Sequence, residues 1–157
     1  MTADDVSRLL DQYRAGIEAE LNLLRQLADV ARDQREATGG ADFGAFSRIA
    51  DARDAVMRSL VTIEEGMRTV RHALSEHREL AAKVDGYDEV AARHREATHL
   101  VSLILSTDQQ SISALADAEL ARRSAVASLE RGETTLAAYR RVLSPPVSSA
   151  KLVDKIG

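Results

Sequence analysis

Apolar residues recur at alternating spacings of three and four along nearly the whole chain of 157 residues. An average step of 3.5 residues keeps one narrow face of a long helix against neighbouring helices over many turns. In the first segment this seam consists of Val6, Leu10, Tyr13, Ile17, Leu24, Leu27 and Ala31. In the last segment it consists of Val90, His94, Ala97, Val101, Leu105, Ile112, Leu115 and Ala118. The pattern predicts an all-α protein, a bundle or coiled coil of very long helices, and favours helix binding over catalysis.

The composition restricts the kinds of partner that such a bundle can bind. Aromatic residues make up only 3% of the chain and Trp is absent, so few side chains are available for stacking on nucleic-acid bases. Charged residues make up 29%, but both signs are interspersed and the net charge is only −4. Since no strong positive field results, we expect no binding to nucleic acid. The absence of Cys fits a reducing compartment.

The N-terminal residues and the most apolar window both argue against a membrane destination. Residues 1–5 carry neither a basic start nor a following apolar stretch, so no secretory signal is expected. The most apolar window, residues 100–105, is far shorter than the roughly 20 residues that span a bilayer. We therefore expect a cytoplasmic protein without stable membrane insertion.

Two glycine-containing breaks divide the helical pattern into three segments. Gly39 and Gly40 permit positive φ and form the first break, and the second is the weaker Asp85-Gly86 pair. Asp4 or Asp5 can cap the first helix and Asp42 the second. The predicted helices span residues 4–36, 43–84 and 87–143.

Short connections between these helices force antiparallel neighbours, so we expect one bundle domain of three helices over residues 1–143. Pro145 and Pro146 end helical structure because proline lacks an amide donor and fixes φ. Residues 144–157 are therefore interpreted as a flexible C-terminal tail.

The third predicted helix is longer than the other two, so part of its apolar seam should remain uncovered within one chain. An exposed apolar stripe of this size is typical of an interface. The candidate partner-binding residues of the helix are Ile112, Leu115, Leu129, Leu136 and Tyr139. Two interpretations stay open, a surface for homodimer formation and a groove for a different protein.

Polar residues in the seam do not form a recognisable catalytic or metal site. Glu96 and His99 have the Glu-x-x-His spacing of di-iron bundles, but such sites need two of these motifs and the chain has one. Asp108 lies in the seam between Ile104 and Ile112, and its functional interpretation is a switch or a charge that pairs with a partner. We favour local access of solvent or specification of the helix register. Nucleophile elbows and phosphate-binding loops are absent from the sequence. We predict no catalytic residue, no metal and no cofactor.

Three segments together resemble the flagellar export chaperones for hook-associated proteins, the FlgN and FliT kind. The first is the Leu-rich stretch of residues 21–27, which continues into residues 34–37. The second is the start of the next helix, at residues 46–53. The third is Ala138-Tyr139-Arg140, followed by the prolines and then Leu152-Val153-Asp154-Lys155.

The resemblance implies a cytoplasmic protein without enzymatic activity. It would bind amphipathic terminal helices of secreted flagellar hook-associated proteins, prevent their premature assembly and deliver them to the type III export apparatus. On this interpretation Leu152, Val153 and Ile156 of the tail also belong to the partner-binding set and occupy the groove when cargo is absent. The alternative is a structural or regulatory coiled-coil protein that associates with itself through the same stripe.

Overall fold

The computed structural model describes residues 1–40 and 42–143, with side chains through residue 132. The described residues form helices and short connections and contain no strand, which confirms the all-α prediction. Its elements are α1 (Ala3–Gly39), α2 (Phe43–Glu76), the single-turn α3 (Arg78–Ala81) and α4 (Tyr87–Leu143). The tail predicted at residues 144–157 lies outside the described residues.

The start of α1 is fixed by a capping box. Thr2 is the N-cap, its hydroxyl accepting from the Asp5 backbone N–H at 3.2 Å, while the Asp5 carboxylate accepts from the Thr2 N–H at 3.0 Å. This reciprocal pair satisfies two amide donors that the first helical turn leaves without partners. The prediction that Asp4 or Asp5 is the cap is therefore wrong in position, although Asp5 takes part. Asp42 caps α2 as predicted, through a 3.0 Å bond from the Ala45 N–H.

The second predicted helix is interrupted eight residues before its expected end. The sequence prediction carried it to residue 84, whereas α2 ends at Glu76 and His77 adopts φ −112° and ψ 33° before α3 begins. The two backbone bonds around this residue are kept, from His77 N–H to Ala73 and from Ala81 N–H to His77. The predicted break at Gly86 is confirmed, because its φ of 87° is a conformation that glycine adopts readily.

The chain divides into two compact units, residues 1–114 and residues 115–157. The core of the first unit follows one face of α1, and α2 and α4 both contribute to it. The largest side chains that are fully buried there are Val6, Ile17 and Leu21, all on α1. In contrast, Met67 is the only hydrophobic residue of α2 that is buried among the described residues.

The face of α4 that packs into the core differs from the predicted seam. Among the described side chains of α4, the buried residues are Val90, Ala97, Ile104 and Ser111, spaced seven apart. Val101 and Leu105, which the seam prediction placed on the packed face, are 43% and 63% exposed, so that assignment is wrong. The cause is that apolar residues occupy two adjacent faces of this helix, and only one of them meets α1.

Polar pairs show the relative directions of the helices in residues 1–114. Arg71 of α2 contacts Glu20 of α1, and Arg53 of α2 contacts Gln34 of α1, so residue numbers fall along α2 as they rise along α1. Asp108 of α4 also pairs with Arg53. The α3 turn therefore lies at the end of the unit where α1 begins.

The second unit contributes the described residues 115–143 of α4. Its large apolar side chains Leu120, Val126 and Leu129 are exposed. Glu119 accepts two bonds of 2.9 Å from Arg122 and one of 3.0 Å from Arg123, and these bonds lower the pKa of its carboxyl to about 2. The single domain predicted for residues 1–143 stays a prediction.

Candidate binding groove

A groove runs between α2 and α4 in residues 1–114, with α1 as its floor. Its central cavity has a volume of about 350 Å³. Leu24 of α1 lies at the bottom, Leu60 of α2 forms one wall, and Ala97 and Val101 of α4 form the other. The groove exists because α2 and α4 both pack on one narrow face of α1, which leaves the space above that face open.

A second cavity of about 310 Å³ continues the groove toward α3. Leu10 and Tyr13 of α1 lie beneath it, Leu74 lines it from α2, and Tyr87 and Val90 line it from α4. Arg71 and His94 line both cavities and therefore mark the boundary between them. We call the first the central cavity and the second the α3-end cavity.

A three-residue ionic cluster occupies the wall of the central cavity. The Arg71 guanidinium donates to both carboxylate oxygens of Glu64, at 2.6 and 3.2 Å, and to Glu20 at 3.4 Å. Glu20 is only 3% exposed, on the buried face of α1, whereas Glu64 is partly open to the groove. A group that enters the groove therefore meets Glu64 before Glu20.

The two carboxyls of this cluster have opposite pKa shifts. Burial, together with the hydrogen bond and the negative charge of Glu64, raises the pKa of Glu20 from 4.5 to about 7. The hydrogen bond from Arg71 lowers the pKa of Glu64 and raises that of Arg71 itself. One guanidinium thus pairs with two carboxyls, and burial favours the protonated form of Glu20 over that of Glu64.

Tyr13 connects the cluster to α4. Its hydroxyl lies 3.3 Å from Nδ1 of His94, and the Arg71 guanidinium lies 5.9 Å from the centre of its ring. Burial raises the pKa of the Tyr13 phenol. Because Tyr13, Arg71 and His94 come from α1, α2 and α4, these contacts hold all three helices at the boundary of the two cavities.

A second group of polar contacts joins the three helices at the end of the groove that is farthest from α3. Arg53 donates two bonds of 2.6 Å to the two carboxylate oxygens of Asp108 and one of 2.9 Å to Gln34. The hydrogen bond to Asp108 raises the pKa of Arg53. Bidentate guanidinium–carboxylate pairs are strong and directional, so the Arg53–Asp108 pair fixes the position of α4 against α2.

Exposed apolar side chains flank the groove on α4. Val101 lines the central cavity, and Leu105 and Ile112 follow it at intervals of four and seven residues. Residues at these spacings lie on the same side of a helix. Leu105 is 63% and Ile112 is 59% exposed, so the groove continues as an apolar strip along α4.

Three of the predicted partner-binding residues have described side chains. Ile112 lies in residues 1–114 and is exposed, as the prediction of an uncovered stripe requires. Leu115 is half-buried, and Leu129 is 72% exposed. Leu136 and Tyr139 belong to α4 but their side chains lie outside the described residues. The tail residues Leu152, Val153 and Ile156 also lie outside them.

The sequence interpretation missed the groove and its ionic cluster. A signal for Glu20 was present, because it lies three residues after Ile17 and four before Leu24, the positions where the seam requires a buried residue. Glu64 and Arg71 carried no comparable signal, since charged residues on a long helix are usually solvated. Their pairing depends on the rotation of α2, which the alternating pattern does not specify.

Neither a cluster suited to a metal ion nor a helix able to cross a membrane occurs among the described residues. No cluster of three or more His, Asp or Glu side chains in this part of the chain is suitable for a metal ion. Likewise, none of the described helices combines the length and the apolar character needed to cross a bilayer.

Comparison with known proteins gives no relative. No family model matches the chain, and neither a curated protein nor a solved structure is significantly similar to it.

Proposed function

We propose that this protein is a non-enzymatic chaperone that binds an amphipathic helix of another protein in the groove between α2 and α4. The observation that carries the proposal is the open space above α1, where two walls and a floor are in place and the fourth side is empty. A helix in that space would complete a four-helix arrangement. The proposal includes the antiparallel course of the three long helices, which the pairs Arg71–Glu20 and Arg53–Gln34 support for α1 and α2. The contacts Tyr13–His94 and Arg53–Asp108 support it for α4.

The apolar strip supplies the anchors that such a mode of binding requires. Helix-in-groove recognition uses apolar residues at i, i+3, i+4 and i+7 that insert into a hydrophobic groove. Val101, Leu105 and Ile112 offer partly or largely exposed apolar surface in one row. Burial of such side chains provides roughly 25 cal/mol per Å², from which the ordering of the bound helix is subtracted.

The resemblance noted in the sequence suggests the cargo. We infer that the bound helices are terminal segments of secreted flagellar hook-associated proteins, held monomeric in the cytoplasm and delivered to the type III export apparatus. Masking the amphipathic segment prevents premature assembly because the same apolar face forms the contacts between cargo subunits. This function needs no catalytic residue and no cofactor.

The test is calorimetric titration of the full chain with terminal helical fragments of hook-associated proteins. Val101→Ala should weaken binding about tenfold, since Val101 lines the central cavity and apolar anchors in the middle of an interface contribute most of its affinity. Leu103→Ala is the matched control, because Leu103 is also exposed on α4 but lies two residues away, on the opposite side of the helix. Failure of the fragments to bind, or equal effects of the two substitutions, would contradict the proposal.

A second candidate function is self-association as a structural or regulatory coiled coil. It is favoured by Leu120, Val126 and Leu129, which expose large apolar surface in residues 115–132. Sedimentation equilibrium distinguishes the two functions. A tight homodimer that Leu129→Arg dissociates would support the coiled-coil scaffold, whereas a monomer at all concentrations would support the chaperone.

A further inference from the structure

The two cavities of the groove differ in charge. The α3-end cavity is lined by Arg78 and Arg95 in addition to Arg71 and His94, and the described residues that line it include no Asp or Glu. The central cavity contains Glu20 and Glu64 beside the same Arg71. The α3 end therefore carries two guanidinium groups without a carboxylate, whereas in the centre two carboxyls share the single guanidinium of Arg71.

The positive charge at the α3 end is not neutralised within the described part of the chain. Arg71 is paired with Glu64, but neither Arg78 nor Arg95 forms an ion pair with any residue in the described ranges 1–40 and 42–132. Both side chains are exposed beside the apolar floor of the cavity. Guanidinium groups in this position can form bidentate bonds with a carboxylate.

We propose that the groove binds its partner helix in one direction, with an acidic C-terminal end against Arg78 and Arg95 and a basic side chain against Glu64. This inference rests on the proposed function and adds the chemistry and the orientation of the partner. The C-terminus of a helix carries the negative end of the helix dipole, so the acidic last turn and the dipole both favour the α3 end. The opposite orientation would direct that negative end at Glu20 and Glu64.

The orientation follows from the course of the surrounding helices. α2 runs toward α3 and α4 runs away from it. The bound helix would thus be parallel to α2 and antiparallel to α4. The lining residues of the two cavities are separated by about seven to ten positions along α4 and α2, or about 10–15 Å. The partner should therefore carry Lys or Arg two to three turns before its acidic end.

Orientation can be measured by disulfide trapping because the chain contains no Cys. Ser75 lines the α3-end cavity and Ser102 lines the central cavity, so Ser75→Cys and Ser102→Cys each introduce a unique thiol in the groove. The probe is a designed amphipathic peptide of about six turns with an apolar stripe, an acidic last turn and a Lys two to three turns earlier. A second peptide of the same composition has the charge order reversed along its length.

The expected result is selective trapping. A Cys at the C-terminus of the first peptide should react about fivefold faster with Ser75→Cys than with Ser102→Cys, and a Cys at its N-terminus should show the opposite preference. The first peptide should also bind about tenfold more tightly than the charge-reversed peptide. Arg95→Glu should remove most of that difference, whereas Lys83→Glu, an equal change of charge at an exposed residue outside the cavity lining, should leave it.

Two other results would contradict directional binding, and only the second would also contradict helix binding in the groove. If both peptides bind equally and are trapped equally at both thiols, the directional binding is wrong while helix binding in the groove stands. If neither peptide binds the full chain, the directional binding and the proposed function fail together.

Discussion

α1 and α4 have the same apolar spacing but differ in how much of it they bury. On α1 the seam residues Ile17, Leu24 and Leu27 are all buried between two neighbours, α2 and α4. On α4, burial among the side chains through residue 132 is restricted to every seventh residue from Val90 to Ser111, and the adjacent apolar row of Val101 and Leu105 is exposed. A repeat of 3.5 residues thus indicates a long helix, but the number of neighbouring helices decides how wide a stripe is covered.

The largest expected change in the free energy of unfolding is at a buried isoleucine of α1, and an exposed isoleucine of α4 serves as the comparison. Ile17→Ala should lower the free energy of unfolding by about 3 kcal/mol, because Ile17 is 1% exposed and its truncation leaves a cavity in the core. Ile112→Ala, at a residue that is 59% exposed on α4, should change it by less than about 0.5 kcal/mol. Urea denaturation of the full chain measures both values. Similar losses for the two variants would mean that the strip on α4 is covered in solution.

A smaller change in stability is expected when the buried carboxyl of Glu20 on α1 is replaced. The pKa of Glu20 is raised from 4.5 to about 7, so the stability linked to its protonated form is present below pH 4.5 and is lost as the pH rises through about 7. Glu64, whose pKa is lowered, acts in the opposite direction and loses its contribution as the pH falls. Glu20→Gln should therefore stabilise the protein by about 1–2 kcal/mol near pH 8 and by much less near pH 4.5.

Urea denaturation near pH 8 and near pH 4.5 tests whether Glu20→Gln stabilises the protein more at the higher pH. Glu18→Gln is the matched control, because Glu18 lies on the same helix but is exposed, and its replacement should alter stability little at either pH. A Glu20→Gln variant that is destabilised near pH 8 would show that the ionised carboxylate is needed to hold Arg71.

The smallest expected changes in stability are at two glycines, one on the packed face of α1 and one on an open face of α2. A Cβ atom on Gly16 would lie 2.5 Å from Sδ of the buried Met67, so Gly16→Ala should destabilise the protein by about 1 kcal/mol. No atom lies within 4 Å of such a Cβ on Gly66. Gly66→Ala should therefore stabilise the protein by about 0.5–1 kcal/mol through helix propensity. Thermal unfolding followed by circular dichroism reports both signs.

Two helix boundaries were predictable because they depend on local chemistry. Gly86, with its positive φ, and the Asp42 cap act within a few residues of themselves, and both were visible in the sequence. The break at His77 was not, because no proline or glycine marks it. What a helix buries depends on its rotation against its neighbours, and this is why the exposure of Val101 and the pairing of Arg71 escaped prediction.

The candidate site was predictable only in outline. An uncovered apolar stripe on the last helix was expected, and Ile112 belongs to it. The groove itself was not expected, because it is formed by three helices that are distant in sequence and its floor belongs to α1. Glu20 was the one member of the ionic cluster whose position in the seam could have indicated burial.

The contact of Arg53 with both Asp108 and Gln34 has a consequence for assembly of the fold. A regular heptad pattern alone would tolerate helices displaced lengthwise by one repeat, since similar apolar residues would meet again. Such a slip would separate Arg53 from both of its partners and leave half-buried charges without compensation. Together with the contacts of Arg71 and Tyr13, this guanidinium therefore favours one alignment of the helices among several that hydrophobic packing would accept.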